Sequence, residues 1–264
     1  MASFYSCRMP ESVNELDAVQ IVERTLPYLA HHDVRFGAPE TDNPVYPAVE
    51  LCDPASGAAR KMIEAHCEMR GLPFCKEGAS LIFQRYCHRL CGLASASALI
   101  TGSVPLLTSG NVSMSLVNGT PKTMWLAENK TIDNPNFDAL TAMLLDGHLL
   151  EMASNWKHIV GPGIRNLHGN IAASLALGVR KVADQVGLEK AKFFGEELLA
   201  SRKELRGLGE YEIISAYGKT GLFFHRRSCC HWYAARNGKY CSWCSKRTKQ
   251  ERVAVFKNQM KPKG

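Results

Sequence analysis

The stretch LIFQRYCHRLCGLASASALI, from Leu81 to Ile100, is apolar on nearly every side of a helix. A helix without a continuous polar face has to be buried. This segment therefore demands a shell of other elements around it, and it predicts the centre of a mainly helical body. Its continuation, Thr101-Gly-Ser-Val-Pro-Leu-Leu107, is broken by Gly and Pro. The apolar run thus falls short of the roughly 18 to 20 residues of a membrane span, and a cytoplasmic location is expected. The chain of 264 residues is long enough to bury such a core without covalent staples.

Around the central segment, apolar residues recur with a period near 3.6 in Asn14–Val34, which Pro27 should kink or divide, and helices are also expected at Ala58–Met69, Asn136–Trp156, Ile171–Val186 and Glu189–Leu205. Gly169-Asn170 reads as a turn with a cap before one of them. Two β-hairpins are expected. One joins Val112–Val117 to Thr123–Ala127 through Asn118-Gly119-Thr120-Pro121; the other joins Tyr211–Tyr217 to Leu222–Arg226 about Gly218–Gly221. The predicted class is mainly α with two small β-hairpins (α+β). It divides into a helical body (1–208), a small cysteine-bearing module (209–245) and a basic tail (246–264).

The module is the chemically informative part. Of ten cysteines, six (Cys7, Cys52, Cys67, Cys75, Cys87, Cys91) are scattered and read as small hydrophobes. Cys229, Cys230, Cys241 and Cys244 cluster as Cys-Cys-x10-Cys-x2-Cys. Three chemistries compete for that spacing. Structural zinc is served well by the Cys241–Cys244 knuckle and poorly by adjacent thiols, whose side chains tend to diverge; His225 or His231 could replace one of them. A disulfide pair of the thioredoxin kind lacks its βαβ context. A [2Fe–2S] cluster needs two thiolates on each of two irons, and its extended rhomb accepts diverging ligands. Arg226, Arg227, Arg236 and Lys239 would offset its negative charge. Trp232, Tyr233, Tyr240 and Trp243, interleaved with the thiols, would shield it or simply form the core of the module.

Charge is uneven. From His225 onward there are eleven Lys and Arg and a single acid, Glu251, whereas the preceding residues carry a net −3. The basic end implies an anionic partner. His31, His32, His148, His158 and His168 show no paired metal spacing.

With RRSCCHWY (Arg226–Tyr233) and the four-cysteine spacing in view, the chain resembles the bacterial ferric-siderophore reductases of the FhuF type. LHGNIAASLALGVRKV (Leu167–Val182), FQRYCHRLCGLASASALITGSVPLL (Phe83–Leu107) and the hairpin ending MWL (Met124–Leu126) are similar to the family's helices and hairpin. The likeness spans roughly Leu81 to Cys244. His168 stands where the family often has Trp, and the chain continues for twenty residues after Cys244. The resemblance implies a [2Fe–2S] cluster on Cys229, Cys230, Cys241 and Cys244. It implies one-electron reduction of a ferric siderophore, hydroxamate type foremost, with release of Fe(II). The electron would come from a donor such as a ferredoxin or an NAD(P)H-dependent reductase, and the substrate would dock between body and module. Arg226, Arg227 and Arg236 are the candidates for holding substrate or donor. The alternative is a zinc-ribbon protein whose basic tail contacts nucleic acid; a third reading keeps the cluster as a structural element only. The tail also suits peripheral contact with an anionic membrane surface.

Overall fold

The structure, a computed structural model, describes residues 16–262. Cys7 and the first residues of the helix expected from Asn14 lie outside them. In chain order the elements are α1 (Ala18–Thr25), β1 (Asp33–Phe36), β2 (Val45–Pro47), α2 (Ala48–Cys52), α3 (Ala58–Met69), α4 (Lys76–Thr101), β3 (Ser103–Pro105), β4 (Val112–Val117), β5 (Thr120–Leu126) and β6 (Thr131–Asp133). There follow α5 (Phe137–Leu144), α6 (Leu150–Val160), α7 (Ile164–Val186), α8 (Leu188–Ala200), β7 (Gly209–Ala216), β8 (Lys219–Arg226) and α9 (Lys249–Gln259). The fold is mainly helical with small sheets, as the apolar periodicity predicts.

The central position of α4 follows from its composition. Leu81, Ile82, Phe83, Tyr86, Leu90, Leu93, Ala94 and Ala96 are all buried. It packs along α7, where small residues let the backbones approach. Ser95 Oγ donates across the interface to the Leu175 carbonyl at 2.9 Å. A Cβ added at Gly178 would stand 3.0 Å from the Gly92 carbonyl carbon. Cys87 and Cys91 are fully buried on this helix and behave as core atoms.

Pro27 closes α1 in a short 3-10 turn, Leu26–Tyr28, rather than letting the helix run to Val34. The residues beyond it form β1, which pairs in parallel with β5 (Asp33 opposite Thr123). Adding β2, antiparallel to β4, completes a four-stranded sheet in the order β1-β5-β4-β2. Both expected hairpins are present, with tighter turns than the sequence suggests. Asn118-Gly119 and Tyr217-Gly218 make them, each pair at positive φ. Thr120, Pro121 and Lys219–Gly221 therefore belong to strands.

Three helix boundaries differ from expectation, the last expected helix ending at Ala200 rather than Leu205. The segment Asn136–Trp156 is interrupted at Asp146 (ψ 129°) and Gly147 (φ 67°), which separate α5 from α6. Also, α7 starts at Ile164, so Gly169-Asn170 lies inside a helix and caps nothing. Gly169 serves close approach instead. A Cβ there would run into the side chain of Ser228, so only glycine lets the cysteine segment lie on α7.

At the expected body–module boundary the packing is continuous. Leu205, Leu208, Tyr211, Leu222 and Phe224 share one buried cluster with the helices. The opposite face of the β7–β8 hairpin presents Ile214 and Phe223, and Phe256 of α9 and Met260 just after it cover this face. The basic end, expected as a tail over 246–264, is thus largely a docked helix. Thr248 and Glu251 form a capping box at its start, and Phe256 stacks on Phe223 with ring centroids 4.5 Å apart.

Candidate functional site

The strand β8 ends at Arg226, and the next peptide is fixed by the Arg227 N–H, which donates to the Leu208 carbonyl at 2.8 Å. Arg226 does not reach solvent. It is 2% exposed. Its Nε donates to the Ser228 carbonyl at 2.6 Å, and its Nη2 donates to Asn170 Oδ1 at 2.8 Å and Ser228 Oγ at 3.2 Å. Asn170 in turn donates to the Ser80 carbonyl at 3.0 Å. Asn166, one turn earlier on α7, donates to the Cys229 carbonyl and accepts from Ser80 Oγ. A buried polar network therefore runs from α4 through α7 to the backbone around the first cysteine pair. Such networks rigidify a site when every member is satisfied.

After Cys229-Cys230 the chain reverses. His231 takes a left-handed φ of 64° and leads into the 3-10 turn Trp232–Ala234. The Arg236 N–H donates to the Arg70 carbonyl at the end of α3 (2.9 Å), which pins the loop to the body. The Cys244 N–H donates to the Cys241 carbonyl at 3.1 Å, forming the knuckle expected from Cys-x-x-Cys.

These turns bring the second cysteine pair back to the first. The Sγ atoms of Cys230 and Cys241 are 3.8 Å apart. Two thiolates bound at about 2.3 Å to one tetrahedral metal stand about 3.8 Å apart, so this pair fits a shared metal position. Cys230 and Cys244 are buried, and Cys229 and Cys241 are half-buried. The Cys229 Sγ accepts the His231 N–H at 3.4 Å. The hydrogen bond shared with Cys241 lowers the pKa of the Cys230 thiol, helped by the charge of Arg226 and the Trp232 N–H. Cys241 is correspondingly held protonated by that bond and by burial, and burial raises Cys229. Among the described residues, no three or more His, Cys, Asp or Glu side chains converge as a set that could hold a metal ion. What the structure brings together is the Cys230–Cys241 pair, with Cys229 and Cys244 on the same two turns.

A cavity of about 240 Å³ opens beside the thiols, lined by Cys230, Cys241, Trp232, Trp243, Arg85 and Arg226, among others. The three arginines singled out in the sequence are distributed differently from one another. Arg226 is buried beneath the cysteines. Arg227 is exposed and paired with Glu210 at 3.0 Å. Arg236 is exposed at the loop, with its aliphatic stem over Gly71. The sequence reading missed Ser80, Asn166 and Arg85, and it took Asn170 for a helix cap. Their signal was faint: polar residues at helical spacing on otherwise apolar helices. His225, considered as a replacement ligand, is bound to Glu212 at 2.8 Å, and no described helix is long and apolar enough to cross a membrane.

No protein-family model matches the chain, and no curated protein does. Among solved structures, part of the chain is similar to aerobactin synthetase IucA from a hypervirulent pathotype of Klebsiella pneumoniae, at TM-score 0.45 and 14% identity. That match covers 55% of this chain and 30% of the other. The likeness is too slight to define either a shared fold or a shared activity.

Proposed function

We propose that this protein is a one-electron reductase of ferric chelates, with Cys229, Cys230, Cys241 and Cys244 as the ligands of a [2Fe–2S] cluster. The observation that carries this reading is the Cys230–Cys241 pair, 3.8 Å apart, backed by a buried guanidinium and bordered by a cavity. A cluster held there supplies single electrons at a potential set by its surroundings. The chain's own residues contribute three things. Arg226 places a fixed positive charge under the thiolates, which favours the more negative, reduced form. Trp232 and Trp243 restrict water at the cavity wall. The Asn166–Asn170 network holds the first cysteine pair against α7.

The reaction takes one electron from a reduced donor, a ferredoxin or an NAD(P)H-dependent reductase, and gives it to Fe(III) in a siderophore. Hard anionic oxygens hold Fe(II) far more weakly, so the metal is released. The activity we propose is a cytoplasmic one, with α9 and its basic neighbours available to an acidic donor or an anionic membrane surface.

The test is anaerobic purification with iron, sulfide and zinc assayed on one sample, alongside visible and EPR spectra. About two irons and two sulfides per chain, EPR-active after one-electron reduction, are expected. Cys230→Ser should lose both the spectrum and the reduction of ferric siderophores. A colourless protein with one zinc would overturn the proposal and move attention to nucleic-acid binding.

A further inference from the structure

A second and larger cleft lies on the other side of Arg85. It measures about 500 Å³ and is lined by His31, His32, Arg85, His88, Arg89, Lys122, Leu177 and Lys181, among others. Its walls come from the loop after α1, the outward face of α4, the strand β5 and the middle of α7. Arg85 and His88 line both this cleft and the cavity beside Cys230 and Cys241, so the two spaces are neighbours across a single pair of side chains.

The lining contains no carboxylate. None of the ion pairs among the described residues involves Arg85, Arg89, Lys122 or Lys181. The acid that acts on Arg89 is Asp33. It is already engaged, accepting from Thr123 Oγ1 at 2.6 Å and lying 3.6 Å from Arg35. Several buried nitrogens here are unpartnered: the donor Arg89 Nε and the ring atoms His88 Nε2 and His32 Nδ1 have no hydrogen-bond partner, and since His32 Nε2 donates to the His88 carbonyl at 2.9 Å, His32 Nδ1 is that ring's acceptor. Arg89 is anchored only by Nη2 on the Pro121 carbonyl at 3.2 Å.

Buried polar groups are ordinarily satisfied, and like charges are ordinarily kept apart or paired. Two guanidinium groups one helical turn apart, with two lysines facing them and Asp33, shared with Thr123 and Arg35, as the acid near them, make a standing cost to the fold that a bound anion would relieve. Burial lowers the pKa of Arg85 and Arg89, and repulsion adds to it: Arg70 acts on Arg85, and Arg85 on Arg89. The volume is that of a cleft for a ligand of drug size, far larger than an inorganic phosphate needs.

We infer that this cleft seats the ferric chelate, and that the preferred chelate is polyanionic, carrying ionised carboxylates that pair with Arg85, Arg89, Lys122 and Lys181. This deepens the reductase reading and rests on it, since the cleft's position matters only if electrons emerge near Cys230 and Cys241. It also shifts the substrate away from the neutral hydroxamate complexes toward citrate-like or mixed carboxylate chelates. Arg85 is the positioning residue between the two spaces.

Gallium(III) chelates test this without electron transfer, because gallium(III) mimics ferric iron and is not reduced. Binding to the full chain is measured by titration calorimetry with gallium citrate, a neutral gallium trihydroxamate, citrate alone and inorganic pyrophosphate. Gallium citrate is expected to bind at least tenfold more tightly than the neutral complex, with affinity falling as salt is raised. Lys122→Gln with Lys181→Gln, both exposed positions that leave the core intact, should weaken it at least tenfold. Arg85→Gln should do the same while the circular dichroism spectrum is preserved. Equal affinity for the neutral complex, an unchanged lysine double variant, or tighter binding of pyrophosphate would each overturn the inference. The two proposals fail separately. Reduction of a neutral ferric chelate without any seating of gallium citrate removes only the cleft assignment, whereas tight gallium citrate binding by a colourless zinc protein removes only the reductase.

Discussion

Replacing Gly178 by Ala probes the contact on which the whole body rests. The new methyl would stand 3.0 Å from the Gly92 carbonyl carbon, and nearer still to the Gly92 oxygen and Ser95 Oγ. Carbon–carbon contacts are comfortable at about 3.5–4.0 Å, so α4 and α7 must separate by roughly 0.5–1 Å. Overpacking of this kind costs about 1–3 kcal/mol. Displacing Ser95 also strains its 2.9 Å bond to the Leu175 carbonyl, worth about 1 kcal/mol. Against this, removing a glycine from a helix interior contributes about 1 kcal/mol of stability. The balance is a loss of about 1–3 kcal/mol, or a fall of roughly 2–12 °C in Tm for a chain of this size. Urea denaturation followed at 222 nm, with calorimetry, would measure it. Gly163→Ala is the control, because nothing lies within 4 Å of a Cβ there and its φ is −62°. A Gly178→Ala protein as stable as the parent would refute the close packing of these helices. Partial recovery on adding Ser95→Ala would identify the hydroxyl as part of the clash.

Three further expectations follow from buried groups. Arg226→Met removes the bonds to Asn170 and Ser228 and should cost about 2–4 kcal/mol; in a double-mutant cycle with Asn170→Ala the coupling should reach about 1–3 kcal/mol, and simple additivity would disprove the contact. His66 and His148 are fully buried, and desolvation lowers each to about 4. Their unfolded counterparts take up protons below about pH 6.5, so the stability they contribute is present above that pH and is lost as pH falls toward 4, by about 1–2 kcal/mol each at pH 5. Urea midpoints at pH 7.5 and 5 check this, His148→Gln should shrink the difference, and a flat profile would contradict it. Phe256→Ala, emptying a fully buried ring site, should cost about 3–5 kcal/mol and release α9. Its amides should then exchange freely in hydrogen-exchange measurements while those of α4 and α7 stay protected; unaltered protection of α9 would mean that Phe256 does not anchor it.

The sequence was legible where its signals are local. The apolar run of α4, the period of α3 and the Asn118-Gly119 turn each dictate their own structure, and Ala58–Met69 coincides with the element observed. Less could be read where structure depends on distant partners. The strand β1 is four residues long and exists because β5, some ninety positions later, offers a free edge. The helix α9 has no apolar stripe, since Val253, Ala254, Val255 and Phe256 follow one another around it, and only Phe256 is buried. Its helical character follows from a docking surface on β7 and β8 that the linear text does not display. The cysteines announced themselves by spacing. Arg226 stood out as basic, but its burial beneath them depends on Asn170, which sequence spacing placed at a helix start. The basic cleft was invisible for the same reason, since His31, Arg85, Lys122 and Lys181 come from four separate elements.

The phase of α4 has a consequence for how this chain can change. One face of the helix carries Cys87 and Cys91 into the core, and the next carries Arg85, His88 and Arg89 to the cleft. Each residue advances the helix by about 100°, so inserting or deleting a single residue before Arg85 would rotate guanidinium groups into the apolar interior and thiols into the cleft. Loops elsewhere in the chain can lengthen or shorten between related proteins, but α4 behaves as a fixed ruler. Relatives that keep the cleft should preserve an ungapped segment from Ser80, which supports the cysteine loop, to Ser97, which meets Thr25 at 3.2 Å.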